Sequence, residues 1–230
     1  MTAGEKQDIQ YIGETKNRLL GNKTDTRSRF WDAIAERYAA KPVANEDVYA
    51  HKLAITREYL HADSEVLELG CGTGSTALVH APYVRHIRAT DFSSKMIEIA
   101  SNKASTEGVE NVDFVCSTAN IECVRDAKYN VILALSLLHL LVDWSGTIKA
   151  AHRMLKPEGM LITSTVCLND GYSFMRLVAP LGRRIGLLPQ LSFFTRTELE
   201  NAISEAGFTI EHAWQPVPKK GLFLVARKQS

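Results

Sequence analysis

The chain has 230 residues, with 27 lysines and arginines against 26 aspartates and glutamates and a formal net charge of +1. At 45% apolar and 23% charged residues it has the composition of a soluble globular protein and is too apolar for a disordered one. Near-neutrality excludes nucleic-acid binding by bulk charge, so the expected partner is a small molecule chosen by a shaped site.

In chain order, residues 1–24 are polar with few apolar anchors. A helix is expected up to Tyr38, capped by Asp25 or Thr26, with Phe30, Ile34 and Tyr38 on one stripe and Lys41-Pro42 ending it. Asn45 is a candidate cap for a second helix, Glu46 to His61. Residues 1–61 thus read as an N-terminal helical extension, and 62–230 as the main domain.

From there strands and helices alternate. Val66 to Leu69 is a short apolar strand ending in Gly70-Cys71-Gly72-Thr73-Gly74, and Ser75 to His80 is a helix. Arg85 to Thr90 is a second strand closed by Asp91. Ser93 or Ser94 caps a helix to about Ala104, and Asn111 to Cys116 is a third strand. Tyr129 to Ala134 is nearly all apolar, as a strand buried on both faces should be. Asp143 or Ser145 caps a helix to Leu155, and a Lys156–Gly159 turn leads to a strand from Met160 to Val166. Thr195-Arg196-Thr197-Glu198 spells a capping box. After Gly207, Phe208 to Trp214 and Leu222 to Arg227 are expected as an antiparallel hairpin. The alternation implies a Rossmann-like, doubly wound α/β sheet, mostly parallel, closed by that hairpin.

Cys71, Cys116, Cys123 and Cys167 form neither a disulfide framework nor a zinc pattern. They read as reduced thiols of a cytoplasmic protein, and the N-terminus shows no secretory signal. The longest apolar run, Val131 to Val142, is interrupted by Ser136 and His139 and is too short to span a membrane.

The glycine loop carries the chemistry. Glycines between strand and helix let the backbone approach a ligand closely. A dinucleotide fingerprint needs a third glycine where this chain has Ser75, and Glu68 beside the loop would repel a pyrophosphate. A carboxylate suits an ammonium group, and Asp91 at the end of the second strand suits ribose hydroxyls. The ligand so inferred is a nucleoside with a cationic tail and no phosphates.

Val66 to Gly74, followed by Asp91 to Met96, the apolar strand with its Leu-Leu-His exit, and Arg153 to Gly159, resembles class I S-adenosylmethionine-dependent methyltransferases of the small-molecule subgroup. The resemblance covers roughly residues 62–228 and implies S-adenosylmethionine as cofactor and S-adenosylhomocysteine as product. It places Gly70, Cys71, Gly72 and Gly74 against the methionine and ribose parts, with the Cys71 thiol as a packing group. It assigns Glu68 to the amino group, Asp91 to the ribose, and Phe92 and Met96 to the adenine, with ordinary packing at a helix start as the alternative for those two. Thr118, where many relatives have an acid, and Ala119 would meet the adenine edge. Leu135 and Ser136 would line the methionine. Tyr38 would face the methionine end from a covering helix, or else be a core aromatic. Asn130 replaces the usual aspartate of the fourth strand, in a structural role.

His139 is the best-placed titratable side chain for a general base, with a structural histidine as the alternative. No Cys/His cluster suggests a metal. The insertion of about residues 168–194 mixes apolar residues with Arg176, Arg183 and Arg184. It reads as an apolar cap over a hydrophobic or aromatic acceptor, as an interfacial segment that meets a membrane, or as a lid completing the core. The expected function is methyl transfer to a small, apolar or aromatic acceptor by in-line displacement. The competing readings are a nicotinamide-dependent oxidoreductase and a non-catalytic S-adenosylmethionine-binding protein.

Overall fold

The computed structural model describes residues 26–117, 128–218 and 220–229. The side chains of Asp25 and Thr26, together with Thr118, Ala119 and Cys123, lie outside the described residues.

Apolar residues of period two build the sheet. In β1 (Glu65–Leu69), Leu67 and Leu69 point to one core and Val66 to the other. β4 (Tyr129–Leu135) repeats the pattern, with Ile132 and Ala134 opposite Val131 and Leu133. Burial on both faces makes these strands almost continuously apolar. β2 (His86–Asp91), β3 (Val112–Cys116) and β5 (Leu155–Val166) join them, giving the order β3-β2-β1-β4-β5-β7-β6. β1 to β5 are parallel, and β7 (Gly221–Lys228) runs antiparallel to both β5 and β6 (Phe208–Trp214). The order reverses between β1 and β4, and at such a switch point the loops diverge and leave a crevice.

Helices cover both faces. α1 (Thr26–Ala39), α2 (Glu46–Arg57), α3 (Ser75–His80) and α4 (Ser94–Glu107) precede β3. α5 (Trp144–Met154) follows β4, and α6 (Met175–Arg184) and α7 (Arg196–Glu205) follow β5. Ile148, Ala151 and Met154 of α5 and Leu199 and Ile203 of α7 fill one core. Ile55 of α2 and Ala77 of α3 belong to the other.

The helix starts follow their capping residues. Asn45 accepts the Val48 N–H, Ser93 the Met96 N–H and Asp143 the Gly146 N–H, and Thr195 and Glu198 form the reciprocal capping box. The ends differ more. α2 stops at Arg57 and not His61, because Glu58, Tyr59 and Leu60 each donate to the carbonyl three residues back and tighten the chain into turns. α4 runs on to Glu107, where Gly108 takes a φ of 66°. The expected Lys156–Gly159 turn is an excursion inside β5. Leu155 pairs with Tyr129 and Met160 with Val131, so the extra residues bulge out with Glu158 at φ 61°.

Candidate active site

The loop after β1 sits at the carboxyl edge of the sheet. Gly70, Gly72 and Gly74 all have positive φ, at 67°, 54° and 76°. A Cβ at Gly70 would come within 2.7 Å of Leu137 Cδ1, and one at Gly74 within 2.8 Å of Ala100 and Phe114. Those two glycines permit close packing beneath the loop. A Cβ at Gly72 would meet only the Tyr38 ring, at 3.8 Å, so Gly72 presents bare backbone to the cavity side.

Asp91 holds the loop. Its carboxylate accepts the Gly72 N–H at 3.0 Å and the Ser93 N–H at 2.9 Å, one on each oxygen. Burial raises its pKa and these N–H donors oppose the rise. The Ser93 hydroxyl donates to Asp32 of α1 at 2.6 Å, which ties the N-terminal helix to the start of α4. Tyr38, on the same helix, has its pKa raised by burial first and by the Asp91 charge second.

Glu68 lies deeper. It is 3% exposed, and its Oε2 has no hydrogen-bond partner among the described residues. Burial, with Asp91 adding to it, pushes its pKa to about 8. Cys71 packs in the core, and burial raises its pKa. Neither side chain is on the wall of the cavity.

That cavity has a volume of about 370 Å³. Gly70, Gly72, Asp91, Phe92, Met96 and Ser117 line it where β1, β2 and β3 end. Trp31 and Tyr38 reach it from α1. Leu135 and Ser136 line it at the end of β4, followed by Leu137, Leu140, Leu141 and Val142. Asp143, Thr147 and Gln190 complete the wall. Ser136 is a non-glycine residue at φ 56°, held there by its N–H donating to the Ser164 carbonyl at 2.6 Å. Backbone strain of this kind persists where the surroundings over-determine it, often beside a ligand site. Lys52 of α2 donates to the Ser164 hydroxyl at 2.8 Å, and burial lowers its pKa.

The sequence-predicted residues therefore divide. Tyr38, Gly70, Gly72, Asp91, Phe92, Met96, Leu135 and Ser136 meet at one cavity. Tyr38 faces it and is not a core aromatic, being half exposed. His139 does not reach it: the short 3-10 turn Leu138–Leu140 carries its ring to Thr165 of β5, with Nδ1 3.0 Å from Oγ1. Burial lowers its pKa to about 4, so it is neutral at physiological pH. Asn130 has the structural role expected of it, accepting the Glu65 N–H and the Lys156 ammonium at 2.9 Å each. Trp31, Ser117, Asp143, Thr147 and Gln190 were not anticipated on the wall. Asp143 alone had a sequence signal, as a helix cap directly beyond the fourth strand. Among the described residues no group of three His, Cys, Asp or Glu side chains is placed to hold a metal. No described helix is long and apolar enough to cross a membrane.

A family profile described as a methyltransferase domain matches residues 29–213. The uncharacterized methyltransferase YcgJ of Bacillus subtilis is 33% identical over 110 residues, which is 48% of this chain and 44% of that protein. Its crystal structure superimposes with a TM-score of 0.67 at 20% identity, covering 79% of this chain and 99% of that one. The malonyl-[acyl-carrier protein] O-methyltransferase of Priestia megaterium is 26% identical over 82% of this chain and 67% of its own length. A ubiquinone biosynthesis O-methyltransferase of Marinobacter nauticus is 26% identical over 84% and 83%. The chain belongs to the methyltransferase-domain family.

Proposed function

We propose that this enzyme transfers the methyl group of S-adenosylmethionine to a hydroxyl oxygen of a small apolar or aromatic acceptor. The observation that carries the reading is that one cavity is lined both by the Asp91 carboxylate with the Gly70 and Gly72 backbone and by an apolar run, Leu137, Leu140, Leu141 and Val142.

The residues around Asp91 and the glycine loop fit the cofactor. A carboxylate offers about four lone-pair sites, and backbone N–H groups use two on Asp91, which leaves acceptors for both ribose hydroxyls. The unpartnered Glu68 oxygen is a buried acceptor suited to a cationic amino group, reached directly or through water. Bare backbone at Gly72 lets the methionine part lie close. Phe92 and Met96 flank the adenine, and Thr118 and Ala119, which follow Ser117 in sequence, are assigned to its edge. When bound, the cofactor supplies an electrophilic methyl group on sulfur.

The protein then has to orient, exclude water and manage one proton. Trp31 and Tyr38 cover the cavity from α1, whose position Asp32 fixes. Leu135 and Ser136 bound the place where methyl and acceptor meet. Asp143, a cap of α5 on the cavity wall, is the carboxylate assigned to accept the acceptor's proton, with one oxygen also accepting the Gly146 N–H. His139, neutral and turned to Thr165, plays no part. Two relatives named as O-methyltransferases support an oxygen acceptor.

A screen of phenols, hydroquinones and long-chain hydroxy compounds for S-adenosylhomocysteine release tests the proposal. Asp143→Asn keeps the helix cap but removes the base, and should lower kcat at least about tenfold with cofactor affinity unchanged. Turnover confined to charged, polar acceptors would contradict the apolar reading. An unaltered kcat in Asp143→Asn would remove Asp143 from the mechanism.

A further inference from the structure

α6 presents apolar residues to solvent where a helix of a soluble domain normally buries them. Phe174, Leu177, Val178 and Leu181 stand at i, i+3, i+4 and i+7, one stripe of a helix, and all four are exposed, Leu177 at 85% and Leu181 at 66%. Ile185 and Leu187 extend the patch just beyond the helix end. The inward side is small: Ala179 is buried, and Gly182 is so close to Leu188 that a Cβ would stand 2.7 Å from its Cδ1. The helix thus buries Ala179 and packs Gly182 against the returning chain at Leu188, while its large apolar residues face outward. A core-completing lid is excluded for these residues, and a cap folded over the cavity would have turned them inward.

Charge identifies the occupant. Residues 171–194 contain Arg176, Arg183 and Arg184 and no aspartate or glutamate, in a chain of net charge +1. All three arginines are exposed. Arg176 lies over the Phe193 ring, and Arg183 donates to Gln190, a residue of the cavity wall. A second copy of the chain docked here by a two-fold axis would bring the same arginines together on both sides. An anionic lipid surface satisfies both features at once, taking the apolar stripe below the headgroups and the guanidiniums among the phosphates.

We propose that α6 is a membrane-docking helix that seats the enzyme on anionic lipid. The proposal extends the reading of an apolar acceptor, since such an acceptor partitions into the bilayer. The Arg183–Gln190 contact joins the docked helix to the cavity wall.

Flotation of the full chain with phosphatidylcholine vesicles, with and without about one-third phosphatidylglycerol, tests it. The chain should float with the anionic vesicles, weakly with neutral ones, and less as salt rises. Leu177→Asp combined with Leu181→Asp should reduce binding at least about tenfold. Arg176→Gln, Arg183→Gln and Arg184→Gln should each cost about fivefold. Calorimetric binding of S-adenosylhomocysteine in the absence of lipid provides the separate control. If it persists in the wild type and the variants, loss of flotation reports on docking, and its absence in the wild type would count against the cofactor reading alone. Equal binding to neutral vesicles, or flotation unaffected by the leucine substitutions, overturns the proposal. So does a dimer in sedimentation velocity that the leucine substitutions dissociate without any vesicle binding, which assigns the face to a second copy.

Discussion

The loop after β1 and the segment after β5 border the same cavity but solve opposite problems. At the loop, the parts are fixed in place: one backbone N–H anchors each Asp91 oxygen, and neighbouring side chains leave no room for a Cβ at Gly70 or Gly74. Around α6, apolar side chains stand in water and Gly186, just past the helix end, borders open space. A preorganised cofactor pocket gains from rigidity, because its donors and acceptors are already aimed when the ligand arrives. A surface that meets a partner leaves its apolar area exposed until the partner covers it. The difference separates a region built to hold a ligand from one built to meet a surface.

Paired substitutions sharpen the contrast. Leu67, 1% exposed in the core beneath the loop, should cost about 3 kcal/mol when changed to Ala, whereas Leu177→Ala should change stability by less than about 0.5 kcal/mol. Comparable costs in urea denaturation would mean that α6 buries its apolar face. Gly74 and Gly186 have nearly the same φ, 76° and 74°, but a Cβ at Gly186 meets nothing within 4 Å. Gly74→Ala should therefore lose about 3 kcal/mol, from strain and overlap together, and Gly186→Ala about 1 kcal/mol from strain alone. Equal losses would show that overlap at Gly74 is relieved by movement of Phe114.

The smallest effect is a proton. The folded protein retains the Glu68 proton up to about pH 8, while an unfolded chain releases it near 4.5. The folded state thus binds more protons over this window, and its stability without ligand should fall as pH rises from 4.5 to about 8. A cationic ligand favours the carboxylate, so S-adenosylmethionine binding at pH 7 should release up to about one proton, and Glu68→Gln should abolish the release. Calorimetry in buffers of different ionisation enthalpy measures it. A release that survives in Glu68→Gln would come from another group.

Much of the loop region was legible in the sequence because its chemistry is local. Three glycines, Glu68 and Asp91 lie within two strand ends, and the caps at Asn45, Ser93 and Thr195 are set by residues one turn away. The outer wall was not legible, because Trp31, Thr147 and Gln190 come from three distant segments that only the packed fold brings together. His139 shows the same limit. Its place after the fourth strand put it near the site, but the turn Leu138–Leu140 decides which way it points, and Thr165 receives it. The stripe of α6 was visible as apolar residues among arginines. Whether it faced inward or outward depended on which side Ala179 buries and where the chain returns at Leu188 against Gly182.

Titration of S-adenosylhomocysteine into the wild type and Asp91→Ala, with NAD as a control ligand, tests the central claim most directly. The wild type should bind with a dissociation constant in the micromolar range and not bind NAD, and Asp91→Ala should weaken binding about 100-fold, through loss of two hydrogen bonds to an ionised acceptor and of the Gly72 anchor. Unchanged affinity in Asp91→Ala, or binding of NAD alone, would contradict the account.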